Sequence, residues 1–186
     1  MMTPSPAAQR YFALQVATRR ESRFLRIAQQ VIDRSPGAHL FWPRRSLRVR
    51  RGGKWREVLQ PIFPGYLFLE AETVAGDLYQ HLRGMPGFLR FLPSNHDVQA
   101  VAERDARPLA QLLRYGEVVG KSVAVFDDNN RIRILEGPLK GLEGLIVKID
   151  RRKGRAKVKL DIYDESRLVD FGFTSLEKEP ERTESH

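Results

Sequence analysis

Cysteine is absent from this chain of 186 residues. Its absence excludes disulfide bonds, thiolate zinc sites and cysteine nucleophiles. The four histidines, His39, His81, His96 and His186, also lack the spacing of metal ligands. No phosphate-binding loop of the G-x-x-x-x-G-K-[ST] type is present either. We therefore expect neither a metal nor another cofactor.

Long apolar runs are missing as well. No stretch is long enough to cross a bilayer, and the N-terminal segment MMTPSPAAQR lacks the apolar core of a signal peptide. No basic amphipathic helix of the kind that lies on membranes stands out. We expect a monomer that works in the cytoplasm and has no membrane partner.

Acidic residues are the minority among the charges. The chain carries 32 Lys and Arg against 23 Asp and Glu, so its formal net charge is +9 and its isoelectric point is about 10.2. Such an excess favours a polyanion, and above all a nucleic acid, as the partner. A hydrophobic fraction of 41% still permits a folded core.

The first part of the chain mixes strand and helix patterns, which predicts an α+β fold. Residues 10–115 are expected to form an α/β sandwich with an antiparallel sheet flanked by helices. The predicted strands and hairpin cover residues 11–17, 47–58, 65–72 and 88–93. The predicted helices cover residues 21–34, 74–83 and 104–115.

The second part of the chain shows strand patterns and no helix pattern. The glycine-bearing segment GEVVGKS, residues 116–122, is the predicted linker. Residues 123–178 are expected to form a small five-stranded β barrel. Its strands are predicted at residues 123–126, 131–135, 143–149, 155–163 and 167–173. The polar end, residues 179–186, predicts a disordered tail.

One strand of the predicted barrel alternates apolar and basic residues. Ala156, Val158, Leu160 and Ile162 would fill the barrel, because successive side chains on a strand face opposite sides. The opposite face and the neighbouring turns predict a cationic surface that contacts the phosphates of a folded RNA or of a duplex, and charge alone does not separate RNA from DNA. Its residues are Lys140, Arg151, Arg152, Lys153, Arg155, Lys157 and Lys159. The alternative is that these charges only solvate an exposed strand.

A second basic stretch, RRSLRVRRGGKWR, covers residues 44–56 and carries seven cations around a predicted hairpin turn. It could contact DNA, with a tryptophan available to stack on a base. The candidate residues are Arg48, Arg50, Arg51, Lys54 and Trp55. A soluble hairpin without a ligand is the equally weighted alternative.

Four segments resemble one known family. IRILEGPLKGLEGLIVKID, residues 132–150, resembles a KOW motif, the glycine-centred element of small SH3-like barrels in ribosomal proteins and NusG-type transcription factors. Three N-terminal segments resemble the NusG N-terminal (NGN) domain: YFALQVATRRE, PIFPGYLFLE and GMPGFLRFLP, at residues 11–21, 61–70 and 84–93. The resemblance extends from about Tyr11 to about Glu177. The basic run after the KOW motif is most similar to the specialised LoaP-type antiterminators.

The resemblance implies a mechanism. NusG-type N-terminal domains bind the clamp helices of RNA polymerase and suppress pausing, while the barrel recruits a second partner. In LoaP-type proteins that partner is a hairpin in the nascent RNA, and the outcome is processive antitermination. The polymerase contacts carried over by the resemblance are Tyr11, Phe12, Phe63, Pro64, Gly65 and Tyr66. Tyr11 stands where the family usually has Trp, and core packing is the alternative reading of these aromatic side chains.

Other functions fit the sequence less well. The acidic pairs Asp127-Asp128 and Asp164-Glu165 could suggest a metal-dependent nuclease, but they fall in predicted turns, so we expect no enzyme. A ribosomal-protein-like RNA-binding module is one alternative. A housekeeping NusG that couples polymerase to Rho or to the ribosome, through Ile162 and Tyr163, is another.

Overall fold

A computed structural model describes residues 10–74 and 76–176 of the chain. Its N-terminal elements are β1 (Arg10–Val16), α1 (Glu21–Ile32), β2 (His39–Phe41), β3 (Arg44–Arg51), β4 (Lys54–Pro61), β5 (Tyr66–Ala71), α2 (Gly76–Arg83), β6 (Phe88–Phe91) and α3 (Glu103–Leu113). They are followed by β7 (Val118–Val119), β8 (Ser122–Phe126), β9 (Ile132–Glu136), a 3-10 turn (Glu143–Leu145), β10 (Ile146–Asp150), β11 (Arg155–Ile162) and β12 (Glu165–Ser175).

The N-terminal sheet has four antiparallel strands in the order β2-β5-β1-β6. Alternation along these strands gives the sheet two apolar faces. One face packs against α1 and α2 in a cluster that contains Phe12, Leu14, Phe24, Leu67 and Phe91. The helix predicted at residues 21–34 is confirmed, and Phe24, Ala28 and Ile32 of its apolar spacing are buried, whereas Ile27 is 37% exposed.

The opposite face of the same sheet presents Ala13, Phe41 and Phe68, with Tyr11 and Tyr66 at its margin. Leu109 and Leu112 of α3 are buried in the same cluster. The cluster continues without a break into the C-terminal sheet, through residues such as Val158, Leu160 and Phe171. The two parts of the chain therefore share one apolar core.

The basic hairpin is β3–β4, paired from Arg44↔Pro61 to Arg51↔Lys54. Gly52 and Gly53 form its two-residue turn with φ values of +55° and +77°, as a type I′ turn requires. The hairpin is joined by β7, which pairs with β3 in parallel. The segment predicted as a linker thus holds a strand, and β8 starts at Ser122, so residues 116–122 tie the two parts together.

The C-terminal sheet is a curled half-barrel with strand order β10-β11-β12-β8-β9. β12 and β8 pair in parallel and the remaining pairs are antiparallel. The predicted alternation in β11 is confirmed, since Ala156, Val158 and Leu160 are buried. Five strands were predicted here and five are present among the described residues, although residues 143–145 form a 3-10 turn and the strand starts only at Ile146.

The mixed α/β character is confirmed, while two short strands, β2 and β7, were missed. The predicted disordered tail, residues 179–186, lies outside the described residues. No helix within 10–74 and 76–176 is both long and apolar enough to traverse a lipid bilayer.

Candidate functional site

A row of aromatic rings lies on the sheet face that meets the C-terminal part. The Tyr11 and Phe41 ring centroids are 5.9 Å apart, those of Phe41 and Phe68 are 6.0 Å apart, and those of Phe68 and Phe63 are 5.5 Å apart. Tyr66 stands beside this row with its ring partly exposed. The face is thus a continuous aromatic surface, of the kind that anchors protein interfaces.

The motif FPGY positions one end of this row. Phe63 to Tyr66 form a turn in which the Tyr66 amide donates to the Phe63 carbonyl at 3.1 Å and Gly65 has φ +81°. Pro at the second position and Gly at the third are the residues that a type II turn favours. The buried carboxylate of Glu21 accepts from the Gly65 amide at 2.8 Å and anchors the turn to α1.

The predicted contact residues do not all lie on this face. Phe12 is buried among the helices on the other side of the sheet, because it alternates with Tyr11 along β1. Phe63 is on the aromatic face but is only 3% exposed. The resemblance implies polymerase contacts for both side chains, with core packing as the alternative, and in this arrangement both are buried. Pro64 is exposed and Gly65 is buried.

The side chain that occupies the aromatic face from the C-terminal part is Tyr163, at the tip of the β11–β12 hairpin. Its hydroxyl donates to the Gln99 carbonyl at 2.6 Å and accepts from the Ala13 amide at 3.3 Å. Burial raises the pKa of Tyr163 to about 12, so the phenol stays a neutral donor at physiological pH. The tip of the β11–β12 hairpin is thereby hydrogen-bonded to β1, an inner strand of the N-terminal sheet.

Tyr163 holds an unusual backbone conformation. Its φ is +49° and that of Asp164 is +62°, a left-handed pair that most side chains avoid. Tyr163 and Asp164 are the two loop residues between the paired Ile162 and Glu165, and a type I′ hairpin turn requires positive φ at both. This turn presents the Tyr163 side chain to the N-terminal sheet. Asp164 itself pairs with Arg104 of α3 at 2.7 Å.

A small cavity of about 140 Å³ remains beside Tyr163, lined by residues of both parts. Phe63, Tyr66 and Phe68 line it from the N-terminal side, and Ile162 and Arg167 from the C-terminal side. The Arg167 guanidinium lies 5.1 Å from the centre of the Tyr66 ring, which is a cation–π distance. The docked surfaces therefore combine apolar, aromatic and cationic contacts.

Polar contacts join the two parts at four further places. The Arg45 guanidinium donates to the Asp170 carbonyl at 2.5 Å, and Arg155 donates to the Arg48 carbonyl at 2.8 Å. Lys121 forms an ion pair with Glu57. On the far side of the barrel, the Gln111 amide donates to the carbonyl of Lys140 at 3.2 Å. Sequence reasoning missed these contacts, because nothing in the local pattern of these residues pairs them.

The predicted RNA-binding residues fall into three environments. Arg151, Arg152 and Lys153 are exposed in the turn between β10 and β11, and Lys159 is exposed on β11. Arg155 and Lys157 lie close to the Asp170 carboxylate, at 4.0 and 3.7 Å. Lys140 is exposed beside α3, where its carbonyl accepts from Gln111, and it lies apart from the other predicted RNA-binding residues. Part of the cationic row is thus already neutralised by the neighbouring strand.

The predicted DNA-contact residues lie at the end of the β3–β4 hairpin. All five are exposed: Arg48, Arg50, Arg51, Lys54 and Trp55. The Arg48 guanidinium lies 5.1 Å from the centre of the Trp55 ring, and Arg50 donates to the Gly53 carbonyl at 3.2 Å. The hairpin therefore presents an ordered cationic end with an aromatic ring beside it.

The acidic pairs have structural partners. The Asp127 carboxylate accepts from the amides of Asn129 and Arg131, and from the Arg131 guanidinium, at 2.8–2.9 Å. These hydrogen bonds lower the pKa of Asp127, with the Arg131 amide as the largest cause. The turn role predicted for Asp127 is confirmed. No group of three potential metal ligands occurs among the residues that the structure describes.

Comparisons with known proteins agree with this architecture. A family profile described as "Transcription termination factor nusG" matches residues 9–110, and the profile "KOW motif" matches residues 125–160. The transcription termination/antitermination protein NusG of Pasteurella multocida is 23% identical over 182 residues, which span 95% of this chain and 99% of the relative. That of Thermus thermophilus is 25% identical over 141 residues, 71% of this chain and 75% of the relative.

The fold itself has a solved counterpart. A structure described as "Domain interaction in Thermotoga maritima NusG" superposes with a TM-score of 0.53 at 21% sequence identity, and covers 89% of this chain and 94% of that one. The relatives are named as transcription factors rather than enzymes. Since the first profile spans more than half of the chain and the Pasteurella relative matches nearly all of it, the chain belongs to the NusG family of transcription termination and antitermination factors.

Proposed function

We propose that this NusG-family protein binds RNA polymerase through the aromatic face of its four-stranded sheet and alters pausing and termination. The observation that carries the proposal is the row Tyr11–Phe41–Phe68–Phe63, with Tyr66 beside it. Such a face suits the apolar side of a coiled coil, since aromatic side chains anchor interfaces at low entropic cost. Phe12, which faces the helices, is not part of the proposed contact.

The same face is covered by Tyr163 in the arrangement described here. A polymerase helix and the β11–β12 hairpin cannot occupy it together. Polymerase binding through this face therefore requires the β11–β12 hairpin to undock from it. Because only undocked molecules can bind, the apparent affinity falls in proportion to their fraction. This consequence belongs to the proposal and is tested with it.

The direct test is a transcription assay with purified RNA polymerase on templates that carry a strong pause and an intrinsic terminator. We expect the full-length protein to shorten the pause and to raise read-through of the terminator. Templates that encode the leader of the protein's own operon should respond most, if the protein is a specialised LoaP-type antiterminator. No change on any template at saturating protein would contradict the proposed function.

We further propose that the basic surface of the C-terminal sheet binds nascent RNA and that the protein acts in the cytoplasm. Supporting this, Arg151, Arg152, Lys153 and Lys159 are exposed on adjoining parts of β11 and its preceding turn. Contacts of this kind go mainly to phosphates and give strongly salt-dependent binding. The exposed end of the β3–β4 hairpin is the proposed contact for non-template DNA.

Neutralising Lys159 should weaken RNA binding. Lys159→Gln removes one exposed cation without disturbing the core, because its neighbours Val158 and Leu160 point inward. We expect the dissociation constant for a hairpin RNA to rise about 3-fold, and the slope of log K against log salt to flatten by about 0.7–0.9. Filter binding at several salt concentrations measures both quantities.

Arg23→Gln, on the exposed side of α1, is the matched control and should change neither quantity. An equal effect of the two substitutions would mean that only net charge matters. RNA would then have no defined site on β11.

A further inference from the structure

The two basic segments that the sequence assigns to different partners lie together in the folded chain. An open cleft of about 250 Å³ separates the end of the β3–β4 hairpin from the turn between β10 and β11. Arg48 and Trp55 line it from the N-terminal part, Arg151 and Arg152 from the C-terminal part, and Lys121 from the connection between them. Residues 48–55 and 151–153 thus form one surface, and that surface exists only while the two parts are docked.

The positive charge of this cleft is largely unneutralised. Glu57 is held by Lys121, and Asp150 is held by the amide of Lys153 at 2.9 Å and by its ammonium at 3.5 Å. Among the described residues no carboxylate lies within 4 Å of the guanidinium groups of Arg48, Arg151 and Arg152. Arg48 stands opposite Glu57 in the β3–β4 hairpin, and Arg152 follows Asp150 by two residues, but none of the three guanidinium groups forms a direct ion pair. All three can therefore still bind phosphate oxygens.

Two of these arginines, Arg48 and Arg151, are held in place by neighbouring groups. Arg151 lies over the Phe126 ring, 3.6 Å from its centre, and donates to the Asn130 side chain at 3.1 Å. The Arg48 carbonyl accepts from Arg155 across the domain boundary, which fixes the hairpin against the barrel. Ordered guanidinium groups lose less entropy when they bind an anion.

Trp55 supplies the second kind of contact. Its side chain is on the hairpin strand β4, next to Arg48, and the residue is 41% exposed although it is large and apolar. An exposed tryptophan within a cationic groove is the usual platform on which an unpaired base stacks. A base inside a duplex is not available for such stacking, so the cleft favours a single strand.

We propose that this cleft binds a short single-stranded nucleic acid across both domains, with a base on Trp55 and phosphates on Arg48, Arg151 and Arg152. The inference rests on the proposed nucleic-acid role of the basic surfaces and narrows it to one composite site. Since the strand contacts both parts, it stabilises the docked arrangement and opposes exposure of the aromatic face. Binding of a free single strand and binding of polymerase are thus mutually antagonistic.

The test uses the full-length chain and hexanucleotides too short to connect distant sites. The chain has two tryptophans, so Trp42→Phe leaves Trp55 as the sole indole fluorophore; the Trp42 indole nitrogen has no hydrogen-bond partner to lose. We expect U6 or dT6 to quench Trp55 and a blunt duplex of equal charge to leave it unchanged. Response to U6 alone identifies RNA as the ligand, response to dT6 alone identifies DNA, and response to both identifies the shared single-strand chemistry.

Anisotropy with labelled hexanucleotide then assigns the contacts. Trp55→Ala should weaken binding at least 10-fold and Arg152→Ala about 5-fold, while Arg26→Ala on the exposed side of α1 changes nothing. Tyr163→Asn, which weakens docking, should weaken strand binding as well. Three results would overturn the composite site. The first is an unchanged hexanucleotide affinity in Tyr163→Asn, and the second is equally tight binding of the duplex. The third is that substitutions in only one of the two domains weaken hexanucleotide binding.

Failure of this site and failure of the proposed function are distinguishable. Trp55→Ala placed in a Tyr163→Asn background should have the same affinity for RNA polymerase, measured without any nucleic acid, as Tyr163→Asn alone, because Trp55 is not on the aromatic face. Loss of polymerase binding in that double variant would mean that the hairpin belongs to the polymerase contact instead.

Discussion

Replacing Tyr163 by Asn is expected to raise the affinity of this protein for RNA polymerase by on the order of 30-fold. The substitution removes a ring that packs against the aromatic face and both hydrogen bonds of its hydroxyl. Together these contacts are worth about 2–3 kcal/mol to the docked arrangement. When docking weakens by that amount, the open fraction grows and the apparent dissociation constant falls in proportion.

Asn is chosen because the hairpin tip needs a residue that tolerates φ near +49°. Asn adopts the left-handed conformation more readily than other side chains with a β carbon, so the β11–β12 turn itself is not weakened. Interferometry with immobilised polymerase measures the gain. Leu168→Asn is the control, since Leu168 is 60% exposed on β12 and its replacement should not change the affinity. An unchanged affinity in Tyr163→Asn would mean that the aromatic face is not where polymerase binds.

Phe63 is a poorer probe of the same contact. It packs 5.5 Å from Phe68 inside the shared core and lines the interdomain cavity, so truncating it weakens docking and removes a proposed polymerase contact at once. The two effects have opposite signs in a binding assay. Substitutions on the aromatic face are therefore informative only in a background that is already open.

Much of the fold could be predicted, because the spacing of apolar residues along the sequence follows directly from which side chains are buried. The helical stripe of α1 and the alternation of Ala156, Val158 and Leu160 both follow from which side chains leave water. The short strands β2 and β7 could not be predicted in this way. They have three and two residues, too few for a period, and they exist because a longer neighbour offers hydrogen bonds.

The candidate site was predictable only in part. The aromatic residues and the cations could be named from composition and spacing, but their exposure depends on how the two parts dock. An aromatic side chain that binds another protein and one that is buried by a second domain of the same chain have the same local sequence pattern. The left-handed turn at Tyr163 was not predictable, because it lacks the Asn or Gly that usually marks a type I′ turn. The proximity of residues 48–55 to residues 151–153 is a contact between distant segments, and no local signal encodes it.

Gly137→Ala is expected to destabilise the C-terminal sheet by about 3–5 kcal/mol. Gly137 has φ +97°, which any β carbon strains, and a β carbon there would lie 2.7 Å from the Cα of Ser122 and 3.0 Å from its Oγ. Ser122 is 1% exposed, and its hydroxyl accepts from the Leu139 amide at 2.9 Å. Relief of the overlap must therefore move a buried strand that pairs with both β9 and β12.

Gly141→Ala separates the steric part of this loss from the conformational part. Gly141 lies in the same loop at φ +82°, but nothing lies within 4 Å of a β carbon built there, so its replacement should cost only about 1–2 kcal/mol. Urea denaturation followed by far-UV circular dichroism gives both free energies of unfolding. Equal losses would show that the loop tolerates a methyl group beside Ser122 and that backbone conformation alone demands glycine. A larger loss for Gly137→Ala would show that the close approach to Ser122 is what fixes glycine at the start of the KOW loop.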